Sequence, residues 1–336
     1  MTGRPACPTC ATPVTDGDRF CENCGAALAE VRQITVPRSE LEADGPCTDC
    51  GNDTDAQGYC LVCGHRRSAP DRDRAELDRV VLITDRGIHH AGNEDAAAAG
   101  MLGAGVTGRP PALAVAVCDG VSTSVAAHKA ATAAAAAGVS AMLSAITASD
   151  DDKEAVSAGL AQAAAAAANA GTDLADSPSC TYTGALVTRD PGGAARITVG
   201  NVGDSRAYWL PEAPGIPERL TVDDSLAQEL ITAGSAADSD VVLRGAHTLT
   251  RWLGADAEPI SDSSIRTVTP QGRGVLLLCS DGLWNYLPEA ADLVPFVAGA
   301  DPGVGAQALV EHALTAGGID NITVAVIPIG GPDEFS

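Results

Sequence analysis

Leu113-Ala114-Val115-Ala116-Val117-Cys118 runs without a polar side chain and then stops at Asp119-Gly120. Further on, Val275-Leu276-Leu277-Leu278-Cys279 runs the same way through Ser280 to Asp281-Gly282. A short apolar run closed by a turn dipeptide reads as a buried strand. The carboxylate that follows is held on a rigid element and points out of the sheet. Similar runs are Val80 to Ile83, Ala185 to Val187, Ile197 to Val199, Arg206 to Leu210 and Ile322 to Ile327. Helical stretches fall at 124–146 and 152–171, with shorter ones near 224–233 and 304–315. Helices thus come in an early block and again at the end, with many strands between, which predicts an α+β layered fold rather than alternating βαβ units.

Other acids sit where strands begin or end. Glu94-Asp95 follows Gly92-Asn93, Asp204 lies in Asn201-Val202-Gly203-Asp204-Ser205-Arg206, and Asp320-Asn321 precedes Ile322-Thr323-Val324. Any one of these is an ordinary turn signal. Taken together with Asp119 and Asp281, they predict carboxylates converging on one spot, where they repel one another unless cations lie between them. Oxygen-only ligands favour Mg²⁺ or Mn²⁺.

With those segments in their order, residues 78–330 resemble the protein phosphatase 2C family of metal-dependent serine/threonine phosphatases. The matching pieces are Thr84-Asp85-Arg86-Gly87 leading to Asn93-Glu94-Asp95, Val117 to Gly120, Asn201 to Tyr208, Leu220 to Leu226, Leu249 to Arg251 with Leu253-Gly254, Cys279 to Trp284, and Asp320 to Val324. The resemblance implies a four-layer α-β-β-α sandwich with central antiparallel sheets. It implies a centre of two Mn²⁺ or Mg²⁺ ions, or three with Asp204. Asp119 would bridge, Gly120 would offer its carbonyl, Asp281 and Asp320 would complete one ion, and Glu94 with Asp95 nearby would serve the other. A metal-activated hydroxide would then attack phosphoserine or phosphothreonine in protein substrates, the expected targets of a bacterial serine/threonine kinase. Cysteine-based phosphatase chemistry is excluded, since the sixth residue after Cys118, Cys180 and Cys279 is Ser124, Leu186 and Asn285, never Arg.

Two positions depart from the family pattern. His90 stands where an Arg usually grips phosphate, four residues before Glu94. It would bind phosphate when protonated, donate a proton to the leaving oxygen, or simply face solvent. Arg86 is either a replacement for the missing charge or a surface ion-pair residue. After Gly120 comes Val121-Ser122-Thr123-Ser124, whose hydroxyls either meet phosphate, with Ser122 the candidate, or cap a helix beginning near Ser124. His90 also supports the alternative of a non-catalytic phosphoprotein-binding scaffold.

The N-terminal part is of another kind. Eight of the 11 cysteines precede residue 64. Cys7/Cys10 and Cys21/Cys24 form one pair of C-x-x-C turns, and Cys47/Cys50 and Cys60/Cys63 repeat the pattern. Two such turns meeting make a tetrahedral Cys₄ site that suits zinc. The expected organisation is a zinc ribbon at 1–28, a linker at 29–45, a second ribbon at 46–66, a solvated linker at 67–77 and the phosphatase-like body. Two structural Zn²⁺ would supply the folding energy of modules too small to bury a core. The ribbons are structural or dock a protein partner.

The net charge of -23 argues against nucleic acid and anionic membranes. The start lacks an apolar signal region, and the Ala-rich stretches read as soluble helices, so a cytoplasmic location is expected. Aromatics at 3% leave the core to Val, Leu, Ile and Ala.

Overall fold

The structure is a computed structural model that describes residues 7, 10–14, 21–25, 31–38, 46–47, 50–55, 59–64, 71–103, 111–148, 151–171, 177–190, 192–257 and 264–330. Its strands are β1 (Val31–Val36), β2 (Arg72–Leu77), β3 (Val80–Asp85), β4 (Ala96–Leu102), β5 (Ala112–Cys118), β6 (Tyr182–Arg189), β7 (Ala195–Val202), β8 (Arg206–Pro211), β9 (Glu218–Arg219), β10 (Ile265–Val268), β11 (Gly274–Cys279) and β12 (Ile322–Ile329). The helices are α1 (Ala127–Ala148), α2 (Asp152–Ala168), α3 (Leu226–Thr232), α4 (Asp240–Arg244), α5 (Asp281–Trp284), α6 (Ala290–Val297) and α7 (Pro302–Ala316).

Two six-stranded sheets form, in the orders β1-β4-β5-β6-β7-β10 and β2-β3-β12-β11-β8-β9. Every paired strand is antiparallel. The sheets face each other across Leu113, Val115, Val117, Trp209, Leu276 and Leu278. The outer face of the first sheet carries α1 and α2, packed through Ala130, Ala134, Met142, Leu143 and Leu160. The outer face of the second carries α5 to α7, packed through Leu283, Trp284, Leu309 and Val310. This is the four-layer α-β-β-α order.

With few aromatics, the layers close on small residues. Strand β4 contains Ala96-Ala97-Ala98-Ala99, with Ala96 and Ala98 turned to the helices and Ala97 and Ala99 to the second sheet. Alanine favours helix intrinsically, so four in a row carry no strand signal of their own. Burial on both faces overrides that preference. Helix α1 is long and apolar enough to cross a membrane by length and composition. It lies instead against α2, β4 and β5, with Ala127, Ala131, Ala135 and Val139 buried.

Two stretches expected as linkers are strands. Residues 31–36, within the supposed 29–45 linker, pair with β4 from Val31↔Leu102 to Val36↔Ala97. Residues 72–77, within the supposed 67–77 linker, pair with β3 from Arg72↔Asp85 to Leu77↔Val80. Both are edge strands. In β2 the charges of Arg72, Arg74 and Glu76 point outward while Asp73, Ala75 and Leu77 turn in, and charge on an edge protects it from further pairing. That charge disguised the period of two. The chain leaving β1 is clamped to β2: the backbone N–H of Arg38 donates to Asp73 Oδ2 at 2.8 Å, and its guanidinium Nε donates to the same carboxylate at 3.0 Å.

Removal of residues 1–28 is expected to leave the melting temperature of the body nearly unchanged. Removal of residues 1–38 strips β1 and the Arg38 clamp and is expected to cost about 2–4 kcal/mol by denaturant titration. Equal stability of the two truncations would show that β1 is not an integral strand.

Candidate active site

The register brings the acid-bearing segments to one end of the sandwich. Ala96 lies across from Cys118, Cys279 from Val324 and Ile322 from Asp85. Glu94-Asp95, Asp119, Asp281 and Asp320 therefore all stand at strand ends on the same side, and Asp204 in the β7–β8 turn joins them. Each is held by its neighbours. The Asp119 N–H donates to Thr181 Oγ1 at 3.0 Å, and the Thr181 N–H returns to the Asp119 carbonyl at 2.7 Å. Ser280 Oγ donates to Asp95 Oδ2 at 2.7 Å and accepts from the Thr323 N–H at 2.9 Å. Asn321 Oδ1 accepts from the Glu94 N–H at 2.7 Å, while its Nδ2 donates to the Arg86 carbonyl at 2.8 Å. Trp284 Nε1 donates to the Asp204 carbonyl at 2.8 Å.

The glycines of the two Asp-Gly pairs are steric necessities. A Cβ on Gly120 would lie 2.7 Å from the Glu94 carbonyl oxygen, and one on Gly282 2.0 Å from that of Asn321. Only a bare backbone lets these loops cross so closely.

The acids act on one another. Burial pushes the Asp119 carboxyl well above the usual range, and the charges of Asp95, Asp281, Asp204 and Asp320 push it further. Burial raises Asp95 to about 7 against the opposing Ser280 hydrogen bond. Burial and then Asp281 raise Asp204 to about 8. Asp320 is raised by burial and then by Asp281. Asp95 Oδ1 and Asp281 Oδ1 are buried without any hydrogen-bond partner. Orphaned, mutually repelling carboxylate oxygens fit hard divalent cations. The ring is wide, however. Among the described residues, only the cysteine sets bring three or more ligand atoms within 4.8 Å of one another. A spread donor set suits more than one ion better than a single cage.

Asp119, Asp204, Asp281 and Asp320 line a cleft of about 670 Å³, with Ser122, Thr123, Ser177, Ser179, Trp252 and Asp256 among its other walls. Ser122 lies on the cleft wall beside Gly120. Ser124 is not a helix cap: α1 starts at Ala127, and Ser124 Oγ donates to the Val121 carbonyl at 2.8 Å while accepting from the Ser179 N–H. His90 does not face away into solvent. Its Nε2 is 3.1 Å from Asp320 Oδ1. Arg86 pairs with Asp71 at 3.3 Å and is not among the cleft-lining residues. His247 escaped the sequence reading. Its Nδ1 lies 3.5 Å from Asp281 Oδ2, and its ring stacks on Trp284 at 5.9 Å. The hydrogen bond to Asp281 raises its proton affinity, against partial burial. It stands just before the Leu249 to Arg251 segment, but nothing in the local sequence shows that its ring reaches Asp281.

In each cysteine group, Cys7, Cys10, Cys21, Cys24 and Cys47, Cys50, Cys60, Cys63, all four Sγ atoms lie within 4.8 Å of one another. Closest approaches are 3.5 Å for Cys10–Cys21 and 3.4 Å for Cys50–Cys60. Sulfurs about 2.3 Å from a tetrahedral zinc sit at such spacings, whereas a disulfide needs about 2.05 Å. Hydrogen bonding with Thr12 draws the Cys10 thiol down to about 5, and with Asn52 the Cys50 thiol to about 6. Residues 7–28 match the model of a zinc-ribbon domain.

The body also has solved counterparts. The PPM Ser-Thr phosphatase MsPP of Mycobacterium smegmatis superposes with a TM-score of 0.55 and 28% identity, over 76% of this chain and 100% of that one. The body has the fold of the PPM serine/threonine phosphatases. The body is also like the catalytic domain of PstP, solved in complex with two manganese ions (24% identity, TM-score 0.52, 74% of this chain and 96% of that one). In sequence, the serine/threonine phosphatase stp of Listeria innocua is 34% identical over 134 residues, 40% of this chain and 52% of that protein. PstP of Mycobacterium tuberculosis is 31% identical over 140 residues, 40% of this chain and 25% of that protein. The chain thus spans about half or less of the length of these curated relatives.

The raised carboxyls set a pH dependence. A carboxyl that holds its proton more tightly when folded stabilises the fold below its unfolded pKa of about 4 and loses that contribution as pH rises through the folded value. With Asp95 at about 7 and Asp204 at about 8, the metal-free protein is expected to lose stability between about pH 5 and pH 8. Mn²⁺ should restore the melting temperature at the upper end. Asp119→Asn should raise it without metal and blunt the Mn²⁺ response. A flat metal-free profile would contradict a buried repulsive ring.

Proposed function

We propose that the chain hydrolyses phosphoserine and phosphothreonine in proteins at a two-metal Mn²⁺ or Mg²⁺ centre. The observation that carries this reading is the convergence of acids from well-separated segments, with Asp95 Oδ1 and Asp281 Oδ1 buried and unpartnered, beneath an open cleft. Asp119, Asp281, Asp320, Glu94 and Asp95, with the Gly120 carbonyl, would hold two ions, and Asp204 a third. When bound, such ions lower the pKa of water towards neutrality and neutralise charge on the phosphoryl oxygens.

The chain's own residues do the rest. Thr181 fixes Asp119, Ser280 fixes Asp95, and Asn321 ties the Glu94 loop to the Asp320 loop. The leaving seryl or threonyl oxygen needs a proton, and two imidazoles stand beside the acids to hold one: His247 Nδ1, on the cleft wall, against Asp281, and His90 Nε2, outside the cleft lining, against Asp320. No Lys or Arg lines the cleft among the described residues, so positive charge for phosphate falls to the ions and to these rings. His90 was the ground for a non-catalytic scaffold. Its place beside Asp320 favours the catalytic reading.

The Cys₄ groups would hold structural zinc, and their reduced thiols suit a cytoplasmic setting. The substrates would be targets of a bacterial serine/threonine kinase, in keeping with the bacterial phosphatases the chain resembles. The ribbons would serve as the docking element.

Hydrolysis of p-nitrophenyl phosphate is expected to require Mn²⁺ and to fall at least about a hundredfold in Asp119→Ala or Asp281→Ala. Turnover that survives either substitution, or that ignores chelation, would remove the metal-centre reading.

A further inference from the structure

One wall of the cleft carries a pair of residues that the chemistry above leaves unused. Trp252 and Asp256 both line it, and the indole Nε1 donates to Asp256 Oδ1 at 3.0 Å. Trp252 is partly exposed and Asp256 is exposed. The backbone fixes their place. Leu253 exchanges both backbone hydrogen bonds with Cys180, at 2.8 and 2.9 Å, and Cys180 is bridged in turn to Gly120. The Ala255 N–H donates to Ser177 Oγ at 3.2 Å, and a Cβ on Gly254 would lie 2.8 Å from Ser179 Oγ, so the turn is seated tightly. Two strand spacings of about 4.8 Å put the backbone at Leu253 roughly 10 Å from Gly120. An extended peptide covers that distance in about three residues.

The charge of the cleft is one-sided. Among its described lining residues the ionisable groups are Asp119, Asp204, Asp256, Asp281, Asp320 and His247. With Asp256 set aside, the other four acids belong to the proposed metal centre. Asp256 does not, and its carboxylate accepts the indole N–H of Trp252, which leaves the ring faces free of it. An aromatic ring beside a carboxylate takes a cation, and a guanidinium best of all, because it stacks on the ring while its planar fork meets the carboxylate.

We propose that Trp252 and Asp256 form a subsite for a basic side chain, preferably Arg, two or three residues from the phosphorylated serine or threonine of the substrate. This rests on the phosphatase reading and names the substrate class for it: phosphoproteins with a basic residue near the phosphosite.

The test uses the full chain with Mn²⁺ and a set of phosphothreonine peptides that differ only in carrying Arg, Ala or Glu at positions two, three or five on either side of the phosphothreonine. On one side, Arg at two or three residues is expected to give a kcat/KM about tenfold above Glu. At five residues the ratio should fall to about twofold, the general attraction of an acidic protein. The Arg-to-Glu ratio is read within each variant, so a general loss of activity cancels. In Asp256→Asn the positional preference should shrink to that background, in Asp256→Arg it should invert, and in Trp252→Ala it should weaken. A wild-type ratio that ignores position, or one that persists in Asp256→Asn, overturns the subsite. Calorimetric binding of the same peptides supplies the comparison whether or not they turn over. Position-dependent Arg preference in binding, with no phosphate released from any peptide, would keep the subsite and sink the catalytic reading instead.

Discussion

Mutual repulsion among carboxylates at one end of the sandwich is the constraint around which the rest is arranged. Asp119 is buried and pressed by the charges of four other acids, Asp95, Asp281, Asp204 and Asp320. The Asp119 backbone is locked to Thr181, and the carboxyl of Asp95 to Ser280. Such a cluster stays compact without cations only by keeping protons, as the raised Asp95 and Asp204 do. The same strain makes it receptive to hard ions. Stability has been given up locally so that charge can be met there.

The sheets make that arrangement tolerable. Each loop bearing an acid leaves a strand buried on both faces, as β4, β5 and β11 do almost throughout. Small side chains bring four layers close without aromatic filler. One of the few aromatics, Tyr182, fills the space that Gly138 and Gly184 leave bare. A stiff, thin-layered body holds the loop roots in register, so the repulsion is borne by hydrogen bonds at the tips and not by movement of the strands.

How far the sequence disclosed this depends on how local each signal was. The buried strands around Asp119 and Asp281 were legible because an apolar run ending in Asp-Gly is a local statement. Strand β4 was not, since four alanines point to helix until the faces they touch are known. Strands β1 and β2 were hidden by edge charges that look like linker. The acids could be named because each abuts a strand or a turn in a recognisable motif. His247 could not, because nothing along the chain says that it stacks on Trp284 and reaches Asp281. For Arg86, sequence left two roles open, and the structure adds an ion pair with Asp71.

The misread linkers change how the cysteine-rich head relates to the body. A ribbon on a flexible tether would be mechanically independent of the acids. Here the second Cys₄ group lies in the chain between β1, on the edge of one sheet, and β2, on the edge of the other. The return into β2 passes through Asp71, whose carbonyl accepts from the Arg86 N–H at 2.7 Å and from Asn93 Nδ2 at 3.2 Å. Arg86 in turn gives its carbonyl to Asn321, and Asn321 holds Glu94. Three hydrogen-bonded residues thus separate the end of the excursion from an acid of the centre. The segment that looked most like spacer is where the two parts of the protein are joined.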